Sequence, residues 1–322
     1  MGKFDMISIG DAVLDTFLKV RDVILVPSRE EHNAMLCLPY ADKIPVESFE
    51  QKPAGNAANN AIGLSRFGLK TAFYSVVGND DSGKKIIAAV KKEKVSPAYL
   101  RVEKGATTNY TVVINYNGER TQLIYRLDRS YKLPKLAKSK WVYYTAVGKN
   151  HVNLEREIVD YVKKTGARLA FNPGAYQLDR GARALKKVLR VTSVLFVNKE
   201  EAYKLVGRGG IKYLLRGLCA LGPETVIVTD GSRGAYASDC KEHYKMGVFK
   251  IKVVEMTGAG DAFATGVIAA LHCGKKIDVA LRWGTANSTS VISYIGPQEG
   301  LLDKAGIQKM LKKYTKVKPK KM

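Results

Sequence analysis

The stretch Glu255–Gly266 reads EMTGAGDAFATG and runs directly into the apolar helical segment Val267–Leu271. Gly258, Ala259 and Gly260 carry no bulky side chains, so their successive backbone N–H groups can approach an anion closely. The same residues open a long apolar helix, whose N-terminus adds partial positive charge at that place. The stretch therefore predicts a helix start that binds an anion.

Asp261 occupies the first turn of this predicted helix, beside the anion site. A carboxylate in that position can take a proton from a hydroxyl that attacks a phosphoryl group held by the amides. The residues alone leave a second interpretation open, in which Asp261 only caps the helix and the glycines only pack. The motif thus predicts either phosphoryl-transfer chemistry or a plain helix cap.

Outward from this motif, apolar runs alternate with helical segments along the chain. The runs are typical of buried strands and lie at Phe4–Ile9, Thr71–Val77, Trp141–Thr145, Leu169–Phe171, Val194–Val197 and Val226–Thr229. Helical patterns lie between them, at Gly55–Phe67, Asp81–Lys92, Leu154–Lys164, Arg183–Leu189, Glu200–Leu205 and Ile211–Leu221. This alternation predicts an α/β fold with a mainly parallel sheet and helices on both sides.

Two stretches break this alternation. Val13–Phe49 contains alternating, proline-punctuated segments without a helical period, and Thr107–Tyr125 has the pattern of a β-hairpin. Asn117-Gly118 is the predicted two-residue turn of that hairpin. We expect the two insertions, at about residues 13–49 and 105–127, to pair into one small β-sheet that covers the carboxyl edge of the main sheet as a lid.

Length and composition indicate a globular protein without a membrane-spanning segment. The chain has 322 residues, of which 46% are hydrophobic and 26% charged, and no apolar run is long enough to cross a bilayer. The net charge is +23, but the basic residues are scattered and no zinc-finger or RNA-binding motif accompanies them, so we expect no specific nucleic-acid partner. Cysteines without a CxxC pair and histidines without ligand spacing predict reduced thiols, a cytoplasmic location and no structural metal.

A second glycine motif, VGNDDSGKK at Val77–Lys85, comes close to a phosphate-binding P-loop. Lys85 stands where a serine or threonine should bind Mg²⁺, and Asp80 and Asp81 would bring negative charge to the phosphates. We therefore interpret this motif as a strand-to-helix turn whose helix is capped by Asp81 or Ser82.

Several motifs resemble the ribokinase-like (PfkB) family of sugar and nucleoside kinases. TGAGDAF at Thr257–Phe263 resembles the C-terminal signature of that family, and AGNAANNA at Ala54–Ala61 resembles its other signature. Further matches follow in the family order, namely GDAVLD at Gly10–Asp15, IGLSRFG at Ile62–Gly68, NKEE at Asn198–Glu201 and TDGSRG at Thr229–Gly234. The resemblance implies a single kinase domain over residues 1–322, with a Rossmann-like three-layer α/β core that binds ATP and a small β-sheet lid over the sugar.

The resemblance also implies roles for the residues around the anion site. Asp261 corresponds to the catalytic base that takes the proton from the acceptor hydroxyl. The anion hole that stabilises the transferring phosphate corresponds to Gly258, Ala259 and Gly260. The positions that bind the acceptor are Asp15, Gly55, Asn56 and Asn59. Asp15 could instead be a solvated strand end, and the two asparagines could only cap a helix.

The nucleotide side of the site is implied in the same way. Its positions are Asn198, Glu201, Thr229, Gly231, Gly234 and Asn287. Asn198 and Glu201 resemble the pair that organises Mg²⁺, with Glu201 acting through water. These two residues could also simply start their helix, and Asn287 could lie in a helix that belongs to the core. The implied cofactors are Mg²⁺ and ATP, the latter as phosphoryl donor.

Three positions depart from the family pattern. Ala54 replaces the first glycine of the sugar-side pair, and Glu255 and Met256 replace the usual Asp-Thr. The region of Glu255 contributes to a monovalent-cation site in many members, so activation by potassium is an open question for this chain.

The lid determines the acceptor, and its sequence is the least informative part of the chain. Arg120 or Arg126 could pair with an acidic or phosphorylated sugar, whereas Tyr110 could stack on a nucleobase. We expect a free pentose, a hexose or a nucleoside. The alternatives are a sugar-phosphate kinase and a non-catalytic member that binds nucleotide or nucleic acid through its basic surface. Since the family often dimerises through the lid, a homodimer formed there is a further hypothesis.

Overall fold

The computed structural model describes residues 3–27, 34–117 and 119–322. The strands are β1 (Phe4–Ile9), β2 (Val13–Val20), β3 (Ile24–Pro27), β4 (Ala34–Cys37), β5 (Val46–Ala54), β6 (Thr71–Gly78), β7 (Ser96–Glu103), β8 (Tyr110–Tyr116), β9 (Glu119–Tyr125), β10 (Ser139–Tyr144), β11 (Arg168–Phe171), β12 (Val194–Asn198), β13 (Thr225–Thr229), β14 (Ala235–Ser238), β15 (His243–Met246) and β16 (Lys320–Lys321). The helices are α1 (Asn56–Arg66), α2 (Asp81–Lys92), α3 (Val152–Thr165), α4 (Ala175–Leu178), α5 (Gly181–Leu189), α6 (Lys199–Val206), α7 (Ile211–Ala220), α8 (Ala259–His272), α9 (Ile277–Val291) and α10 (Lys304–Lys313).

The central sheet has the strand order β16-β15-β14-β13-β12-β11-β10-β1-β6-β7. All neighbours from β13 to β7 pair in parallel, whereas β14, β15 and β16 extend the other edge in antiparallel fashion. The mainly parallel sheet that the alternating apolar runs predict is therefore confirmed.

Helices cover both faces of this sheet, which explains why its strands have continuous apolar runs. Successive side chains of a strand point to opposite faces. On β10, Val142 and Tyr144 pack in a cluster with residues of α3, α5, α6 and α7. Trp141 and Tyr143 belong to a cluster on the other face, with residues of α8 and α9. The predicted three-layer α/β arrangement is confirmed by this packing.

A small separate sheet, the lid, has the strand order β5-β2-β8-β9. In it, β2 pairs antiparallel with β5 and parallel with β8, and β8 pairs antiparallel with β9. The lid thus joins strands from both stretches that break the α/β alternation. Asn117 follows β8 with a φ of 49°, as the predicted hairpin turn requires. Gly118, the second residue of that turn, lies outside the described residues.

The structure corrects the prediction that all cysteines are reduced. Cys219 and Cys240 form a disulfide with their Cα atoms 5.6 Å apart, while Cys37 and Cys273 are free. The partners lie 21 residues apart in sequence, in α7 and in the turn after β14, so no short motif marks the pair. The cytoplasmic location inferred partly from these cysteines stays a prediction.

The structure also corrects the cap of α2. Asp80 is the N-cap residue, and its carboxylate accepts a hydrogen bond of 2.8 Å from the backbone N–H of Gly83. Asp81 and Ser82 lie inside the helix instead. Among the helices in the described part of the chain, none has the length and hydropathy needed to span a bilayer.

Candidate active site

A cavity of about 680 Å³ lies between the lid and the carboxyl ends of β12 and β13. Parallel α/β sheets commonly bind ligands at this edge. The beginnings of α1, α6 and α8 complete its walls. The structure brings together most of the predicted site residues here, namely Asp15, Gly55, Asn56, Asn59, Asn198, Glu201, Thr229, Gly258, Ala259, Gly260 and Asp261.

The beginning of α8 forms an anion site in the wall of this cavity. Gly258 is its N-cap residue with a φ of 76°, and a Cβ there would lie 2.4 Å from the Cβ of Pro297, so only glycine fits. Gly260 borders open space, since an added Cβ would meet nothing within 4 Å. In the described part of the chain, the backbone N–H groups of Gly260 and Asp261 have no hydrogen-bond partner. Two donors at the positive end of a helix thus remain available to an anion.

Asp261 lies in the first turn of α8 and its side chain is buried, with only 8% of the residue exposed. Its Oδ2 accepts a hydrogen bond of 2.8 Å from Nδ2 of Asn59. Burial raises the pKa of Asp261 to about 6, although the hydrogen bond from Asn59 and the charge of Arg120 act in the opposite direction. The carboxylate is therefore ionised at neutral pH but is a stronger base than an exposed aspartate.

Asn59 is itself held in one orientation. Gln298 donates from Nε2 to Oδ1 of Asn59 at 2.9 Å, which leaves Nδ2 of Asn59 to point at Asp261. Gln298 lies in the irregular segment before α10, and no pattern around it marks it as a site residue. The sequence around Gln298 therefore carries no signal of its role.

The acceptor side of the cavity is formed by β2 and the beginning of α1. Asp15 is 6% exposed, and burial raises its pKa to about 6, against a hydrogen bond from Thr111 and the charge of Arg126. Gly55 is the N-cap residue of α1 with a φ of 112°, and a Cβ there would lie 2.4 Å from the carbonyl oxygen of Asp11. This turn brings Asn56 and Asp15 to the same wall of the cavity.

Asn198 and Glu201 cap the beginning of α6 and border the cavity as well. Oδ1 of Asn198 accepts from the backbone N–H of Glu201, and Oε2 of Glu201 accepts from the backbone N–H of Asn198, both at 2.8 Å. Burial raises the pKa of Glu201. These two hydrogen bonds agree with the interpretation that Asn198 and Glu201 start a helix. Because both residues also border the cavity, their role at the nucleotide side stays a prediction.

A second cavity, of about 510 Å³, continues from the first. Thr229, Ala259 and Gly260 border both, and Gly231 and Gly234 line the second one. Its walls are mostly apolar and include Val248, Phe249, Ile251, Val253, Phe263 and Ile292. The segment after β15 that forms much of this wall has no regular sequence pattern, so it carries no signal of a binding site.

Asn287 does not reach either cavity. It is 2% exposed in α9, where its Nδ2 donates to the carbonyl oxygen of Ala262 at 2.7 Å and its Oδ1 accepts from the backbone N–H of Leu302 at 2.9 Å. One polar atom of the side chain thus joins α9 to α8, and the other joins α9 to the segment before α10. The predicted contact of Asn287 with a nucleoside is therefore not part of the site that we describe.

No group of three or more His, Cys, Asp and Glu side chains within the described ranges is arranged to hold a metal ion. Glu201 is the carboxylate best placed for Mg²⁺, since its Oε2 is used by the cap of α6 and its Oε1 has no hydrogen bond to a described residue. Mg²⁺ keeps several waters and commonly binds proteins through one or two carboxylates together with substrate phosphates. The residues present fit such an ion.

Comparison with known proteins agrees with this architecture. Residues 20–305 match the pfkB family of carbohydrate kinases. An ATP-dependent 6-phosphofructokinase of Thermoanaerobacterium thermosaccharolyticum is 24% identical over 322 residues, which cover 96% of this chain and 94% of that protein. The structure of Arabidopsis thaliana ribokinase complexed with ribose and ATP superposes with a TM-score of 0.78 at 20% identity, covering 97% of this chain and 99% of that one. The nucleoside kinase of Methanocaldococcus jannaschii gives a TM-score of 0.74 at 20% identity, covering 98% and 100%.

The family match spans most of the chain, and the solved structures share its fold. The chain belongs to the pfkB family of carbohydrate kinases, phosphotransferases that act on an alcohol group.

Proposed function

We propose that the protein transfers the γ-phosphoryl group of ATP to a hydroxyl of a sugar or nucleoside, with Asp261 as the base. One observation supports this most strongly: a buried carboxylate with a pKa of about 6 adjoins the two free N–H groups at the beginning of α8. A base and an anion site are thus adjacent in one cavity, which phosphoryl transfer to an alcohol requires. A plain cap would have the Asp261 carboxylate accept from a backbone N–H of α8, whereas its side-chain hydrogen bond among the described residues comes from Asn59.

The donor nucleotide would extend across both cavities. The apolar walls of the second cavity suit a nucleobase, since pockets for ligands are largely apolar with a few polar groups. From there the phosphates would pass Thr229 and reach Gly260, which border both cavities. The γ-phosphate would then lie at the beginning of α8. A solved relative of the same fold is complexed with ribose and ATP, the two kinds of ligand that this assignment requires.

The reaction follows from the residues around that point. Asp261 accepts the proton of the acceptor hydroxyl, and the oxygen of that hydroxyl forms a bond to the γ-phosphorus. The bond between the γ-phosphorus and the β–γ bridging oxygen breaks at the same time, which releases ADP. The N–H groups of Gly260 and Asp261 stabilise the charge on the transferred group. Mg²⁺, which Glu201 would hold through water, supplies charge neutralisation for the phosphates when bound.

The acceptor would bind against Asp15, Asn56 and Asn59. A carboxylate and two amides suit a polyol, because each buried hydroxyl needs a hydrogen-bond partner. Asp11 is also buried next to this wall, and its pKa is raised by burial. Two carboxylates on the acceptor side favour a neutral sugar or nucleoside over an anionic one.

A sugar phosphate is the second candidate acceptor. Arg126 lines the cavity and has its Nη1 3.8 Å from Oδ2 of Asp11, without a hydrogen bond between them. Its guanidinium could bind a phosphate bidentately. The Thermoanaerobacterium relative is a 6-phosphofructokinase, which also favours this candidate.

We further propose a homodimer formed through the lid. All seven residues of β9, which is the edge strand of the lid, are exposed. They include the large apolar side chains of Leu123 and Tyr125, which do not line the cavity, and an exposed apolar edge favours pairing with a second copy. Sedimentation of the purified protein tests this directly, and a monomer at micromolar concentration would contradict it.

A panel of acceptors tests the proposed function. Neutral pentoses and hexoses, nucleosides and sugar phosphates are each incubated with ATP and Mg²⁺ while ADP release is followed. Asp261→Asn should lose at least about a hundredfold in turnover with the best acceptor. Asp303→Asn is the matched control, because Asp303 caps α10 on the surface and asparagine is an equally good cap. Full activity of Asp261→Asn, or no acceptor-dependent ADP release by the wild type, would contradict the proposal.

A further inference from the structure

A third cavity, of about 410 Å³, lies at the amino ends of β1, β6 and β7, which are neighbouring parallel strands of the central sheet. We call it the amino-edge cavity. The candidate active site lies at the opposite, carboxyl edge of this sheet. Since β1 has six residues and β6 has eight, the two edges are about 20 Å or more apart. The amino-edge cavity is therefore separate from the active site, and the proposed function does not use it.

Lysines determine the charge of the amino-edge cavity. Its charged lining residues are Lys3, Lys70, Lys91 and Lys94. Among the described residues, no carboxylate pairs with their ammonium groups, and the acidic residues close to them in sequence have other partners. Asp5 pairs with Lys140 at 2.8 Å. Glu93 pairs with Arg66 at 2.6 Å. The cavity thus has an excess of positive charge, and a concave surface with charge of one sign attracts counter-ions.

These lysines come from three separate segments of the chain. Lys91 lies in the last turn of α2, and Lys94 follows that helix. Lys3 directly precedes β1, and Lys70 directly precedes β6. Like charges that converge repel one another, so the ligand-free protein holds these groups together at a cost in free energy. A bound anion offsets that cost.

A buried hydroxyl at this cavity lacks a hydrogen-bond partner. Thr71 lines the cavity and is 2% exposed, and its Oγ1 has no partner among the described residues. Its side chain lies on the face of the sheet that α2 covers, because Phe73, two residues later on β6, belongs to one cluster with Ile86 and Val90 of α2. Buried polar groups are nearly always paired, so an unpaired one indicates a missing ligand, ion or water.

The remaining walls of the amino-edge cavity suit a small organic molecule. Phe4, Val95 and Pro97 contribute apolar surface, and Ser96 contributes a second hydroxyl. The volume falls in the range of small-molecule sites, which is about 300–1,000 Å³. A single nucleic-acid strand instead needs a groove that follows its backbone, together with exposed aromatic side chains. The lysines here surround one cavity, and Phe4 is 7% exposed.

We propose that the amino-edge cavity binds a small polyphosphate, a molecule that carries at least two phosphoryl groups. The four ammonium groups neutralise its charge, and the hydroxyl of Thr71 donates to a phosphate oxygen. An ammonium group binds phosphate as a compact point charge, so inorganic pyrophosphate, a nucleoside diphosphate and a sugar bisphosphate share the required chemistry. This inference does not depend on the proposed function, because no step of the reaction takes place at this edge of the sheet.

Acetylation of the lysines, followed by mass spectrometry, tests the site residue by residue in the full-length protein. The probe is inorganic pyrophosphate at constant ionic strength. At twice its dissociation constant it should slow the acetylation of Lys70, Lys91 and Lys94 by about threefold. Lys163 and Lys187, which are exposed on α3 and α5, should react as before. Equal reactivity of the cavity lysines with and without pyrophosphate would overturn the proposal.

Two variants and a control test the parts of the site. Lys70→Gln combined with Lys94→Gln should weaken the protection of Lys91 by pyrophosphate about tenfold. Lys163→Gln combined with Lys187→Gln changes the net charge equally and should have no effect. Thr71→Val should also weaken binding about tenfold, while the melting temperature of the ligand-free protein stays the same or rises, since a buried hydroxyl without a partner is removed. An unchanged affinity of Thr71→Val, or an equal loss in the control, would contradict a built site.

Further ligands distinguish the source of the phosphoryl groups. ADP and fructose 1,6-bisphosphate are compared with pyrophosphate in the same assay. Tighter binding of one of them supports the proposal and identifies the organic part that the apolar wall accepts, whereas weaker binding of both identifies inorganic pyrophosphate. Single-stranded DNA of about ten nucleotides is the competing macromolecule. Protection of the same lysines by this DNA at a lower concentration of phosphoryl groups would overturn the proposal in favour of a nucleic-acid surface.

Discussion

Replacing Asp261 by asparagine should remove turnover and, at the same time, stabilise the folded protein at neutral pH. Burial raises the pKa of this carboxyl from 3.8 to about 6. The folded state therefore holds the proton more tightly than the unfolded state, and above pH 6 it must keep a charge in a buried place. The difference between the two pKa values corresponds to about 3 kcal/mol of unfolding free energy, as an upper bound.

The sign and the pH window of this effect are specific. Below about pH 4 the carboxyl is protonated in both states, and the penalty is absent. The penalty grows as the pH rises from 4 to 6 and stays constant above that. Urea unfolding of the wild type and Asp261→Asn should accordingly show a gain for the variant that is larger at pH 8 than at pH 5. Asp303→Asn, the surface-cap control, should show no such gain.

Turnover completes the test. An isosteric amide cannot accept the acceptor proton, so kcat should fall by about a hundredfold to ten-thousandfold while ATP still binds. A structural cap would behave differently, because its loss would lower stability and reduce activity only through the unfolded fraction. A variant that is less stable than the wild type at pH 8 and fully active per folded molecule would refute our reasoning about Asp261.

Three further predictions concern other parts of the molecule. In a plot of log kcat/KM against pH, the activity should fall below about pH 6 with a slope that approaches two, because Asp15 and Asp261 both have pKa values of about 6 and both act in the ionised form. The Asp15→Asn variant should reduce this slope to one. Gly258→Ala should unfold or misfold, since its Cβ would collide with Pro297, whereas Gly260→Ala should keep its melting temperature but bind ATP more weakly. Breaking the Cys219–Cys240 disulfide by a Cys219→Ser change should lower the unfolding free energy by about 3 kcal/mol, measured with urea, and an unchanged midpoint would contradict the disulfide.

Local patterns were sufficient to predict the layered fold and the position of the anion site. The apolar runs of β10 and β12 are continuous because helices cover both faces of the sheet, and this physical requirement is visible in the sequence. The glycines of Gly258–Gly260 are also marked locally, because a positive φ and a helix start need them. Both features leave a signal within a few consecutive residues of the sequence.

Features that depend on distant residues were not predictable. The partner of Cys219 is set by the packing of α7 against β14, and the orientation of Asn59 is set by Gln298, 239 residues away. Asn287 shows the opposite failure. Its residue type and its helix suggested a ligand contact, but two backbone groups of distant segments occupy its amide.

For Asn198 and Glu201 the two interpretations of the sequence are compatible. Each side chain caps the backbone N–H of the other, yet both border the cavity. A capping box uses one oxygen of the glutamate and leaves the second for water or a cation. Sequence patterns cannot separate these roles, because the same residues meet both needs.

A crystal structure with a non-hydrolysable ATP analogue, Mg²⁺ and the best acceptor is the most direct test of the account. We predict the acceptor oxygen within about 3 Å of the Asp261 carboxylate. The γ-phosphate should accept hydrogen bonds from the N–H groups of Gly260 and Asp261. A γ-phosphate bound away from the beginning of α8, or an acceptor hydroxyl out of reach of Asp261, would contradict it.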